Sequence, residues 1–114
     1  MSKASRNKGA TYEREVANSL NDQLGEGLFK RNLVQTREGG YDLQTDLPLA
    51  IECKRVEKPA FNKWIAQAIK QAEESGRVSV LAWRQSRQPT RYALILDEHE
   101  FCKVVREMYM GDGV

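Results

Sequence analysis

Four residues in this chain have the types and spacing for hydrolytic chemistry: Glu13, Asp42, Glu52 and Lys54. Glu52 and Lys54 lie in a stretch where apolar Leu49, Ile51 and Cys53 alternate with Ala50, Glu52 and Lys54. That alternation predicts a strand with one face turned to a core. A hairpin whose loop centres on Leu47 would set Asp42 directly opposite Glu52, with Cβ atoms roughly 4.5–5.5 Å apart. Two carboxylates that close repel each other. A divalent cation between them reverses the sign, and hard carboxylate oxygens are the ligands that magnesium takes. Lys54 shares their face, roughly 6.6 Å further along the strand, from where its ammonium can reach an attacking water or a phosphate oxygen. The Cys53 thiol points to the core, leaving its backbone carbonyl as a further candidate ligand. The competing reading is an ordinary solvent-facing Glu–Lys pair.

Glu13 stands in a different setting. Val16, Ala17, Leu20 and Leu24 all fall within about 60° of it on a wheel of ~100° per residue. It is therefore placed inside the apolar stripe of the first helix, where an unpaired carboxylate costs roughly several kcal/mol. A neighbouring base, Arg14 or Arg37, would satisfy it. So would a metal site reached from a helix covering the sheet, where a third carboxylate binds a second ion or orients water.

The elements that must position these groups follow from pattern. A first helix is predicted from about Ser5 to Gln23, stopped by Gly25 and Gly27. Leu28 to Arg37 reads as a strand, and Tyr41 to Thr45 and Leu49 to Val56 as a hairpin around Asp46-Leu47-Pro48. Pro59 opens a second helix with an apolar stripe of Phe61, Trp64, Ile65, Ala68, Ile69 and Ala72, ending at Ser75-Gly76. Val78 to Trp83 is a continuous apolar run, hence a buried strand, and Arg91 to Leu96 is read as another. Asp97 caps a last helix with Glu100 as its capping-box partner and Phe101, Val104, Val105 and Met108 as its packed face. The expected order is α-β-β-β-α-β-β-α, an α/β (α+β) mixed sheet with helices against it.

The whole chain sets bounds. Its 114 residues suffice for one domain, 1–114, and are too few for two. Apolar and charged contents of 40% and 30% are those of a globular protein. No run approaches the ~18 apolar residues of a membrane span, and the start has no signal-like apolar stretch, so the expected compartment is the cytoplasm of a bacterial, archaeal or phage-infected cell. Cys53 and Cys102 fit reduced, partly buried thiols. With His99 as the only histidine, histidine-rich metal sites are excluded, and neither a phosphate-cradling glycine loop nor a dinucleotide fingerprint is present. The net charge of +2 is too small to identify a partner, but bases cluster: Lys3, Arg6, Lys8 and Arg14 near the start, and Arg84, Arg87 and Arg91 later. Carboxylates, lysines and a borrowed metal ion remain for catalysis.

The run Lys8-Gly9-Ala10-Thr11-Tyr12-Glu13-Arg14-Glu15 resembles the opening helix of archaeal-type Holliday-junction resolvases and their phage relatives. Asp42 followed by Ile51-Glu52-Cys53-Lys54 is similar to the Asp…Glu-x-Lys signature of the wider PD-(D/E)XK nuclease superfamily, with Trp64, Gln67 and the later strands also fitting the phage versions. The resemblance implies a restriction-endonuclease-like core with Glu13, Asp42, Glu52 and Lys54 as catalytic residues. One departure is Tyr41 where the motif has proline, which leaves Asp46 as an alternative ligand. Gln67 on the second helix is a candidate to position water or phosphate, and Gln71 a lesser one. Trp64 and Trp83 are read as core.

The implied reaction is magnesium-dependent hydrolysis of a DNA phosphodiester, manganese being the expected substitute. Asp42, Glu52 and the Cys53 carbonyl would hold the ion, with Glu13 in its outer shell or on a second ion. Lys3, Arg6, Lys8, Arg14, Arg55 and Arg84 would bind the DNA backbone by charge. A four-way junction is the implied substrate and a homodimer the implied assembly, since two symmetric nicks need two sites related by a two-fold axis. The last helix and Met108–Tyr109–Met110 are candidate dimer surface. The alternatives are a nicking or repair nuclease without junction specificity, or a non-catalytic DNA-binding protein on the same fold.

Overall fold

The computed structural model describes residues 3–33 and 41–111, with side chains of the first helix described from residue 9. Helix α1 (Lys3–Leu24) leads into strand β1 (Phe29–Arg31), then β2 (Leu43–Thr45) and β3 (Leu49–Arg55). Helix α2 (Phe61–Ser75) crosses to β4 (Val78–Arg84) and β5 (Arg91–Ile95), and α3 (Glu98–Val105) runs into a π-helical turn at Arg106–Met110. The order is the one the sequence pattern predicts. Of the predicted first strand, Phe29 to Arg31 is strand and its end from residue 34 lies outside the described residues.

The five strands lie in chain order, β1-β2-β3-β4-β5. Among the described residues only β3 and β4 pair in parallel, and α2 is the crossover that parallel pairing requires. Helices cover both faces of the sheet. On one, Tyr12, Val16 and Ala17 of α1 pack with Phe29, Leu43, Ile51, Val80 and Ala82. On the other, Trp64 and Ala68 of α2 pack on Leu81, flanked by Ile65, Trp83, Ala93 and Ile95. Glu52 projects toward the α2 face, because its neighbours Ile51 and Cys53 turn to α1. A strand covered on both sides has no solvated face.

Local chemistry sets the joints. Asn21 grips the first residue of β1 at both backbone groups, donating from Nδ2 to the Phe29 carbonyl at 3.0 Å and accepting the Phe29 N–H at 2.8 Å. This satisfies polar groups that an edge strand otherwise leaves open. Helix α2 ends at Gly76, whose φ of 71° is the left-handed cap conformation that glycine adopts without a Cβ clash. Asp97 and Glu100 form the predicted capping box, with both reciprocal hydrogen bonds present.

Three sequence expectations are corrected here. Strand β5 is a half-exposed edge rather than a buried strand, with Tyr92 and Leu94 open on the α1 side of the sheet. The last helix has no buried residue, and Phe101 and Met108, expected in its packed face, are 57% and 66% exposed. Its apolar stripe is real, but no described element covers it. In α2 the stripe is narrower than expected, since Phe61 and Ile69 are exposed at its margins.

Candidate active site

Strand register decides whether the acids meet. Leu43 pairs with Ile51 across the β2–β3 hairpin, which places Asp42 opposite Glu52. Both are buried, at 8% and 4% exposure, so the solvated-surface reading of the Glu–Lys strand does not hold. Asp42 lies at the mouth of the hairpin: its Oδ2 accepts the Cys53 N–H at 2.7 Å, and its own N–H donates to the Ile51 carbonyl at 2.8 Å. The two carboxyl groups face each other across the hairpin closely enough to influence each other's ionisation.

Electrostatics at this pair run against ionisation. Burial holds the Asp42 carboxyl well above its ordinary range, and the Glu13 charge adds to that, while the Cys53 N–H and Lys54 pull it back. Glu52 is pushed up further, by burial first and the adjacent Asp42 charge second, against Lys54 and a hydrogen bond to Gln71. Like charges forced together in low dielectric keep one proton between them. Burial also raises the Cys53 thiol, so it stays protonated and is no nucleophile.

Lys54 stands one pleat along on the same face, its Nζ donating to Gln67 Oε1 at 3.5 Å. Helix α2 therefore supplies two amides to the site, Gln67 toward the lysine and Gln71 toward Glu52. Their spacing of one helical turn beside the apolar stripe is the signal by which the sequence offers Gln67 as a candidate and Gln71 as a lesser one.

Glu13 reaches the site from the opposite face. Its Oε1 accepts from Arg31 Nε at 3.0 Å, a pairing with neither base expected from sequence. The signal lay in the short strand: Arg31 shares a face with buried Phe29, and that face meets α1. Arg37 lies outside the described residues. The Glu13 charge acts on Asp42 and Cys53. Among the described residues, no group of three or more histidine, cysteine or acidic side chains is gathered as a metal cage.

The donor chemistry nonetheless fits a small hard cation. Glu52 Oε1 is buried with no hydrogen-bond partner among the described residues, and a buried carboxylate oxygen without a partner is costly. A divalent ion would satisfy it and offset the negative charges that add to the effect of burial on these acids.

The proposed DNA contacts are partly committed elsewhere. Arg84 Nη1 lies 3.5 Å from Glu15 Oε2, Arg55 lies 4.0 Å from Glu57, and these two arginines are neighbours across β3 and β4. Arg14 is exposed. The side chains of Lys3, Arg6 and Lys8 lie outside the described residues. Exposed Asp46 lies in the hairpin loop, beyond β2 from Asp42.

A mixed five-stranded sheet flanked by helices, with a hairpin aspartate facing the glutamate of a Glu-x-Lys strand, matches the PD-(D/E)XK core. The sequence profile described as "Phage putative PDDEXK endonuclease" matches residues 4–111, and the chain belongs to that family. Among solved structures it is similar to Hjc of Archaeoglobus fulgidus, described as a Holliday junction resolvase from an archaeal hyperthermophile. That likeness has a TM-score of 0.55 at 21% identity, over 76% of this chain and 72% of that one, and it concerns the fold. No curated protein sequence matches the chain.

Proposed function

We propose that this chain is a magnesium-dependent, structure-selective DNA endonuclease that cleaves four-way junctions. One observation carries the reading: two facing buried acids, one with an orphaned oxygen, stand beside a lysine in a chain of an endonuclease family. Asp42, Glu52 and the Cys53 carbonyl would hold the ion, which when bound would polarise a phosphodiester and acidify water. Lys54, held by Gln67, orients or deprotonates the attacking water or offsets charge on the crowded phosphate. Gln71 keeps the Glu52 carboxyl aimed into the site. Glu13, steered by Arg31, completes the outer shell on the Asp42 side. Manganese substitutes for magnesium because it takes the same oxygen donors.

The bases on α1, with Arg14, Arg55 and Arg84, engage the phosphate backbone without reading bases. Likeness to a junction resolvase favours a branched substrate over plain duplex. In the deciding experiment, purified protein is given a labelled mobile four-way junction or the matching linear duplex, with magnesium or EDTA. Paired symmetric nicks in the junction alone, dependent on magnesium, are expected. Equal cutting of both would make it a nuclease without junction preference, and no cutting would defeat the enzymatic reading.

A homodimer supplies the two sites that paired nicking needs. The uncovered stripe of α3 and the turn after it, with Phe101, Met108 and Tyr109 at 57%, 66% and 77% exposure, is the surface proposed to form it. Sedimentation of wild type at micromolar concentration is expected to give a dimer, and Phe101→Glu a monomer. A wild-type monomer would count against paired cleavage.

A further inference from the structure

The register that brings Asp42 opposite Glu52 rests on little ladder. Strands β2 and β3 share one registered pair, Leu43 with Ile51, and a slip of one residue would turn Asp42 to the other face. The loop between them carries Pro48, which donates no hydrogen bond, and its carbonyls need partners. They find one in Arg77, at the start of β4. Its Nη1 lies 2.9 Å from the Thr45 carbonyl, 2.6 Å from that of Leu47 and 3.3 Å from that of Leu49. The adjacent Val78 N–H donates to the Pro48 carbonyl at 2.8 Å. One side-chain nitrogen thus gathers both strand ends and the loop between them.

The same guanidinium reaches back to the other end of β2. Its Cζ stands 5.7 Å from the centroid of the Tyr41 ring, in cation–π range. Tyr41 immediately precedes Asp42, and its carbonyl accepts from Asn32 Nδ2 at 2.9 Å. A proline there would restrict the backbone through its ring; tyrosine does not, and is held instead at its carbonyl by Asn32 and at its ring by Arg77.

We infer that Arg77 is a positioning residue for the Asp42–Glu52 pair: by gathering the hairpin carbonyls and stacking on Tyr41, it fixes the β2–β3 register that the pair requires. The inference rests on the proposed role of that pair as a metal site, while its geometric part stands apart from it. Lysine does not fully replace it, because an ammonium lacks the flat guanidinium face that lies against Tyr41 while one nitrogen meets the carbonyls.

Arg77→Gln and Arg77→Lys are the tests, read by amide exchange at Cys53, whose N–H is bound to Asp42 Oδ2, and by Mn2+ titration calorimetry. Exchange at Cys53 should rise at least about tenfold while Ala82 in central β4 stays unchanged, and Mn2+ affinity should fall about tenfold. Arg77→Ala should regain Cys53 protection in millimolar guanidinium chloride but not in equimolar sodium chloride. Unchanged exchange and affinity, or equal acceleration at Cys53 and Ala82, would overturn the inference. Should the Arg77 variants fail to fold, Tyr41→Leu decides, since it removes only the stacked ring. A smaller rise at Cys53 is expected there, and none would overturn the role. Wild type that cuts no DNA would sink the nuclease reading, yet Cys53 exchange would still judge Arg77.

Discussion

Glu52→Gln is expected to lower junction cleavage by on the order of 10³-fold while junction affinity stays within about threefold. The substitution keeps the side-chain volume in a site where Glu52 is 4% exposed, and an amide can still bond Asp42 and Gln71. What it removes is one negative charge and one oxygen able to ligate a cation. The affinity survives because the bases credited with phosphate contacts are spread over α1, β3 and β4, away from this carboxyl. Single-turnover cleavage of a labelled junction in magnesium and fluorescence anisotropy in EDTA separate the two quantities. Full cleavage by the purified variant would remove Glu52 from the chemistry. Loss of binding together with cleavage would point to a damaged fold.

The second large effect concerns stability without metal. Both acids hold their protons more tightly in the folded chain than in the unfolded one, through burial first, with the Glu13 charge adding at Asp42 and the Asp42 charge adding at Glu52. The folded state therefore binds more protons, and stability falls as pH rises. It is complete below the ordinary carboxylate range near pH 4 and drains away as pH climbs through the raised folded values into the mildly alkaline range. At about 1.4 kcal/mol for each unit of upward displacement, the loss is on the order of a few kcal/mol, or roughly 10 °C in Tm for a domain of this size. Magnesium should reverse it, because the cation takes the place of the proton. Calorimetry between pH 5 and pH 8 in EDTA should show Tm declining, with 10 mM magnesium raising it at pH 8 and changing it little at pH 5. Glu52→Gln should flatten the slope. A Tm rising toward pH 8 in EDTA would show that the pair ionises freely.

How much of this was legible in the sequence differs from element to element. The hairpin was readable because Pro48 sits between two alternating runs, and a loop centred on Leu47 yields the observed Leu43–Ile51 register. The capping box at Asp97 was readable because it is a local pattern. Glu13 was correctly suspected of needing a partner, since the misfit of one acid in an apolar stripe is visible in one dimension. Its partner was not visible, because Arg31 meets α1 only after β1 has docked along the helix. The two amides of α2 were visible only as candidates, because which flank of a helix faces a site depends on how it lies across the sheet. The last helix misled because its stripe looks the same whether another part of the chain or another molecule is to cover it. Arg77 gave no sign at all, as its three acceptors are backbone atoms and carry no residue identity.

The acids of the hairpin are neighbours by virtue of a single tight turn, whereas the helix that shuts water away from them arrives later along the chain. A denatured molecule would therefore still keep these carboxylates within reach of each other, bathed in solvent, and on the proposed role would retain some affinity for divalent ions. Any thermal gain from magnesium would accordingly report the contrast between a sheltered clasp and a loose one, and would understate the affinity of the closed protein for the cation.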